Sequence, residues 1–367
     1  MRGSTSSPSP RLRGEGRGGG SLRSSRWLQR QDPPPSPAGR TIPPQAGGGV
    51  NRRLLLVLLA TAGITPARAA DLTPLRIATL KFGTVNWELD TIRHNGFDRE
   101  NGIALDTLGM AGSAAAKIAF EGGAADALVA DWIWVARQRG AGKDFVFIPY
   151  SRSVGSLIAR TGRFGRIEDV RGKTLGIAGG PLDKGWLILR AYAQSRGFDL
   201  KGETRQVFGA PPLIAQQALG GGVDAVLTYW HWEAKMTAKG FAPVVGVADA
   251  AEALGLSPDI PLLGYVLRGD YVRENPQAVA GLIAASRAAK ARLASDDGAW
   301  ERLRPLMKAA DEAEYEALRA GFRAGIPGEE PVDIADAATL YAVMAELGGE
   351  ALVGEATTLP EGVFFGE

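Results

Sequence analysis

The sequence predicts an α/β fold of two similar lobes facing a shared cleft, followed by a helical C-terminal region. Three observations carry this. From Asp71 onward, short apolar runs alternate with stretches of helical periodicity. The segment "GGAADALVADWIWVAR" (122–137) returns as "GGGVDAVLTYWHWEAK" (220–235), and in both a Gly-x-x-Asp-Ala leads into Trp-x-Trp. From Asn275 the chain turns Ala-rich and keeps a helical period almost to its end.

The elements follow in order. Strands are expected at 75–80, 103–108, 125–130 and 144–150, then at 156–160, 173–179, 205–209, 223–229 and 241–247. Amphipathic helices such as 187–197 and 213–221 lie between them. The apolar segment "LLGYVLRG" (262–269) precedes the change of character. "NPQAVAGLIAASRAAKARLA", "DEAEYEALRAGFRAG" and "DIADAATLYAVMAELGG" then read as helices, with breaks at the Gly-Ile-Pro of 325–327 and at Gly348-Gly349.

With 367 residues, 45% of them hydrophobic, the chain can bury two ordinary cores. It has no cysteine, which removes disulfides, thiolate zinc sites and a lipidated N-terminal cysteine. Two histidines leave little room for a His-rich metal site or a Ser-His-Asp triad, so neither a metal nor a cofactor is expected. Charge is uneven. Residues 1–70 hold 11 arginines and only two acids, Glu15 and Asp32, so the remainder carries 31 basic against 38 acidic side chains. An acidic body argues against nucleic acid as a partner.

Residues 1–49 are rich in Gly and Pro and lack apolar periodicity, as a disordered leader or a mis-called start would. Residues 50–69 read as a secretory signal peptide: Arg52 and Arg53, then the apolar run Leu54–Ile64, then Ala67-Arg68-Ala69 as the cleavage signal. That run is too short to span a membrane as a helix.

Four stretches carry a family resemblance. "NWELDTIRHNGFDRENGIALDTL" (86–108), "FEGGAADALVAD" (120–131), "RIEDVRGKTLGIAGG" (166–180) and "GGVDAVLTYWHWEAKM" (221–236) stand in this order. Together they resemble the solute-binding proteins of nitrate, sulfonate and taurine ABC importers, whose relatives bind pyrimidine precursors of thiamine. In the last stretch Ala234 stands where the family usually has proline after Trp-Glu. The resemblance implies a periplasmic-binding-protein fold of the second type with a two-segment hinge, near Pro149–Val154 and Leu262–Leu267. Residues 71–150 and 263–367 would form the first lobe, with the C-terminal helices packed on it, and 151–262 the second.

Ligands of open α/β sheets bind beyond the carboxyl ends of the strands, and the candidate site residues come from there. Gly83 permits close backbone approach, while Thr84 and Asn86 offer polar side chains or simple helix caps. Ser113 opens a helix after the second strand, where it caps the helix or meets an anion. In "GIAGGPLDKGW" (176–186), Gly180 and its neighbours present N–H groups, Lys184 a positive charge and Asp183 a cap; the loop lacks the Gly-Lys-Ser/Thr ending of a phosphate-binding P-loop. Six of the eight tryptophans cluster near strand ends, and Trp87, Trp132 and Trp230 are expected to touch ligand, with Trp232 and Tyr229 beside them. Asp131 and Glu233, like Glu88 and Asp90 nearby, suit a cationic or amine-bearing group, whereas Lys81 or Lys184 with helix N-termini suits an anion; a zwitterion would satisfy both. Asp126 and Asp224 read as turn or cap residues, and His231 as a weaker contact.

The expected function is therefore the periplasmic substrate-binding component of an ABC importer. It would act as a monomer and capture a small sulfonate-, taurine- or nitrate-like solute for an inner-membrane permease. The alternatives are an enzyme or a ligand-sensing subunit on the same fold, acting on a pyrimidine-like or other aromatic or amine ligand.

Overall fold

A computed structural model describes residues 72–366. The leader and signal-peptide readings lie outside the described residues. The first lobe begins with β1 (Thr73–Leu80), α1 (Val85–Asn95), α2 (Phe97–Glu100), β2 (Ile103–Met110), α3 (Ser113–Glu121), β3 (Ala127–Asp131), α4 (Trp132–Gly140) and β4 (Phe145–Ser151). The chain crosses to β5 (Ser156–Arg160), β6 (Thr174–Ala178), α5 (Lys184–Ser195), β7 (Arg205–Gly209) and α6 (Pro211–Leu219). Then come β8 (Ala225–Leu227), α7 (Trp230–Thr237), β9 (Phe241–Gly246) and α8 (Val247–Ala253). It returns through β10 (Leu263–Arg268) and ends in α9 (Gly269–Glu274), α10 (Pro276–Ser295), α11 (Asp297–Met307), α12 (Glu312–Ala324), α13 (Ile334–Gly348) and α14 (Glu350–Val353). All nine expected strands form. The segment 262–269, left unassigned by its sequence, supplies the tenth.

Each lobe is a five-stranded sheet, ordered β2-β1-β3-β10-β4 in the first and β7-β6-β8-β5-β9 in the second. β1, β2 and β3 run parallel, as do β6, β7 and β8. One strand in each sheet, β10 or β5, is antiparallel to both its neighbours. The reason is directional. The parallel strands end at the face between the lobes, so a strand arriving from the other lobe enters at that face and must run the opposite way. Gly155, on the first crossing, is required by close approach: a Cβ there would lie 1.6 Å from the Thr228 carbonyl oxygen, and backbone cannot yield.

The repeated Gly-x-x-Asp-Ala now has a structural explanation. Asp126 accepts from the Arg76 backbone N–H at 2.9 Å, and its own N–H donates to the Arg76 carbonyl at 2.8 Å. Asp224 makes the same pair with Thr174, at 2.8 Å each way. In both lobes this aspartate anchors the start of a central strand to the strand beside it. That is a register anchor (partner fifty residues earlier in each case) rather than a turn or helix cap.

The C-terminal helices do not all pack on the first lobe. α10 lies along α1, and α11 beside both. α13, however, bridges the lobes: it sits against α5 of the second, where Ala337, Leu340 and Met344 join a core that holds Trp186 and Leu187, while its Tyr341 packs on Trp132 of the first. α12 lies against α7, and there the buried Glu314 pairs with Lys235 at 3.4 Å and with Lys239. The Ala-rich sequence shows only that each helix has an apolar face. Which lobe covers that face depends on tertiary placement.

Candidate ligand-binding site

A cavity of about 330 Å3 opens between the two sheets, bounded by residues at the carboxyl ends of strands from both lobes. That size falls within the range of small-molecule sites. The first lobe contributes Gly83 and Thr84 ahead of α1, Ser113 and Lys117 from α3, and Asp131 at the end of β3. The second contributes Asp183 and Lys184 at the start of α5, and Tyr229, Trp230 and His231 at the start of α7. Much of the remaining wall is aliphatic, including Leu80, Val85, Val129, Leu227 and Val247.

Helix starts place the charged groups. Asp131 caps α4 by accepting from the Trp134 N–H at 2.9 Å, and Asp183 caps α5 by accepting from the Trp186 N–H at 3.1 Å. The second oxygen of Asp131 accepts from the Lys184 ammonium at 3.0 Å, an ion pair that spans the cavity from one lobe to the other. Burial would raise the Asp131 carboxyl, yet Lys184, the Trp134 N–H and Lys117 together hold it below the usual carboxylate range. For Asp183 burial prevails and pushes the carboxyl up against the opposing pull of the Trp186 N–H and Lys184. The Tyr229 hydroxyl is pushed up to about 12 by burial, then by Asp183 and Asp131, so it is a neutral donor at physiological pH. Helices α3 and α7, which also start at the cavity, carry no side-chain cap.

Eight of the fourteen expected residues line this cavity: Gly83, Thr84, Ser113, Asp131, Asp183, Lys184, Tyr229 and Trp230. The other six are placed elsewhere, each for a local reason. The Asn86 carboxamide donates to the Leu80 and Gly83 carbonyls at 2.8 and 2.9 Å and accepts from Thr79 at 3.0 Å, which locks the turn after β1. Trp87 is buried one layer behind the wall, edge-on to Trp230, with ring centroids 6.0 Å apart, and against Trp300 and Phe322. Trp132 is fully buried beside Tyr341 and Phe364. Gly180 accepts through its carbonyl from the Asp183 N–H in the turn before α5. Trp232 packs on the small core of α6 and β5, and Glu233 is raised by burial against the opposing pull of Ser156. Both Trp-x-Trp pairs open a helix, where residues two apart point in nearly opposite directions; only Trp230 of the four reaches the cavity.

Two further acids also lie elsewhere. Glu88 is buried in an ion pair with Lys290 at 2.6 Å, and Asp90 pairs with Arg302. Lys81 is exposed and does not line the cavity. Sequence reasoning missed Lys117 and Tyr150. The one available signal was that Lys117 follows Ser113 by four positions and so shares its helix face. Tyr150 is buried, and its hydroxyl is raised by burial and then by Glu88, against the pull of Thr84.

His231 lines the cavity with no hydrogen-bond partner among the described residues, ringed by Tyr229, Trp230 and Trp232. Burial, aided by Lys235, lowers it to about 4. Its imidazole should therefore stay neutral well below pH 6, which an NMR titration of the two histidines reads directly. Because the unfolded chain takes up this proton first, near pH 6.5, stability contributed here should fall as pH drops from there toward 4.

Among the described residues no group of three or more His, Cys, Asp or Glu side chains is placed to hold a metal ion. None of the described helices is long and apolar enough to cross a membrane.

The fold matches solved structures of solute-binding proteins. An alkanesulfonate-binding protein, SsuA from Xanthomonas axonopodis pv. citri, bound to MOPS, superimposes with a TM-score of 0.62 at 16% identity, over 81% of this chain and 99% of the other. The periplasmic aliphatic sulphonate binding protein SsuA from Escherichia coli gives 0.63 at 15%, over 78% and 95%. The desulfurization enzyme DSZB shares the fold at 0.53 and 15%, over 79% and 96%. No curated protein matches the chain in sequence. The family model described as NMT1/THI5 like matches residues 92–297. That match takes in more than half of the sequence, and the chain belongs to the NMT1/THI5-like family.

Proposed function

We propose that this chain is the periplasmic solute-binding component of an ABC importer. It holds a small organic solute, sulfonate-, taurine- or nitrate-like, between its lobes and presents it to an inner-membrane permease. One observation carries the reading: the cavity lies between the sheets and takes its wall from both, so that a solute bound there touches both lobes at once. Such a solute favours the closed arrangement by its differential contacts, and a permease can read closure without any chemistry on the solute. The likeness to the two sulfonate-binding proteins supports it, as does the signal-peptide pattern at 50–69. Gly83, Thr84, Ser113, Asp131, Asp183, Lys184, Tyr229 and Trp230 are the proposed contact residues.

The test is thermal denaturation of the purified, ligand-stripped protein against nitrate, alkanesulfonates, taurine, short carboxylates, amines and pyrimidines. A solute at a hundred times its dissociation constant adds about 2.7 kcal/mol, a rise in melting temperature of several degrees. A shift confined to one chemical class, with the solute recovered unchanged, supports the receptor. Turnover of the solute would instead support the enzymatic reading that the shared fold of DSZB keeps open.

A further inference from the structure

The cavity walls carry two ammonium and two carboxylate groups, and their partners decide which charge a solute must bring. Asp131 has both oxygens engaged, one by the Trp134 N–H and one by Lys184 at 3.0 Å. Lys184 is thereby neutralised. Asp183 sits on the N-terminus of α5, where one oxygen accepts from the Trp186 N–H while burial disfavours its charged form. Of the four, Lys117 alone makes no hydrogen bond or close ion pair among the described residues, although it adds to the field that holds the Asp131 carboxyl down. Its ammonium lies 4.4 Å from the Trp134 ring centroid, and no carboxylate, carbonyl or hydroxyl among the described residues accepts from it. An ammonium has three donors and no acceptor capacity, so leaving all three unmet at a partly buried position is costly. Ser113, one helical turn earlier, adds a hydroxyl on the same face of α3.

We propose that Lys117 sets the charge of the solute: the cavity takes an organic monoanion, a carboxylate or a sulfonate with an apolar body, and rejects the same molecule once it also carries an ammonium. The anionic head supplies the acceptor that Lys117 lacks. The body lies against Val85, Val129, Leu227 and Val247, with Trp230 beside it. A second, cationic group would find both oxygens of Asp131 engaged, and in Asp183 a carboxyl whose charge burial disfavours and which already caps α5 through one oxygen. This rests on the solute-binding reading above and narrows it.

Calorimetric titration with matched solutes tests the idea, in the wild type and in the Lys117→Met and Lys117→Arg variants. The set is 1-butanesulfonate, hexanoate, 3-aminopropanesulfonate, 6-aminohexanoate and hexylamine. The wild type should bind at least one of the two plain anions and none of the three amines; sulfonate against carboxylate names the head group. Lys117→Met should weaken that anion about 10- to 100-fold, as loss of a charged hydrogen bond does, and Lys117→Arg should recover part of it. Free Lys117→Met should melt close to the wild type, because burial disfavours this charge and no carboxylate hydrogen-bonds to it, so that only its contact with the Trp134 ring and its pull on Asp131 are lost. Equal affinity for an anion and its amine-bearing twin would overturn the assignment, as would undiminished binding by Lys117→Met. Binding of the amines alone would leave the receptor reading standing and remove this one. Binding of no solute from either series would remove both.

Discussion

Trp132→Ala is expected to cost about 3–5 kcal/mol of folding stability, whereas Trp230→Ala should cost much less stability and far more ligand affinity. The two residues occupy the same place in the repeated motif, each opening a helix after a central strand. Their surroundings differ. Trp132 has no exposed surface and packs between Tyr341 of α13 and Phe364 near the C-terminus, so truncation opens a cavity that helices anchored at several points cannot close. Trp230 is half-buried, lines the ligand cavity, and lies edge-on to Trp87 and over Gly321 of α12, where even a Cβ would come within 2.8 Å of its ring. Truncating it removes wall from the cavity and one contact between lobes. Urea unfolding and solute titration of both variants separate the two roles. Trp132→Phe should recover much of the loss, since it refills the space and removes an indole N–H that finds no acceptor among the described residues. Equal destabilisation by the two alanines would return Trp230 to the core.

That contrast shows how far the sequence could be read. Strand positions were legible because the apolar runs of β1 to β9 are short and bounded by Gly or charged residues, and a period of two or a buried run survives any tertiary arrangement. Strand ends, and so the region of the cavity, followed from them; that is why residues such as Thr84, Asp131, Lys184 and Trp230 were found. What strand ends cannot reveal is rotation about the following helix. Trp132 and Trp230 are indistinguishable by motif, and only the packing of α13 and the C-terminal tail against α4 decides that one of them is core. Lys117 escaped because it lies a full turn into α3, where a lysine reads as solvated surface. Asp126 and Asp224 were singled out by repetition, but their bonds run to strands fifty residues earlier, a separation that local turn and cap rules do not reach.

Breaking the buried ion pair beneath the first lobe should be the most damaging charge change in the protein. Glu88 of α1 is fully buried and reaches Lys290 of α10 at 2.6 Å; Tyr265 and Ser286 donate to the same carboxylate at 2.8 and 2.6 Å. Lys290 also donates to Ser286 at 2.6 Å, and its ammonium lies 4.7 Å from the ring centroid of Tyr150, which lines the ligand cavity. Burial lowers Lys290 against the pull of Glu88, so its charge is costly to keep unless the carboxylate stays. Lys290→Met is therefore expected to lose about 3–5 kcal/mol, because it strands a carboxylate away from water. Glu88→Leu should lose a similar amount by stranding the ammonium. The double variant should lose clearly less than the two singles together, since no charge is then left buried and both side chains keep roughly their volume. Urea unfolding of the four proteins gives the coupling directly. Simple additivity would mean that the two groups do not depend on one another. Strong coupling would identify this pair as the support that holds α10 to α1 and steadies the Tyr150 wall from behind.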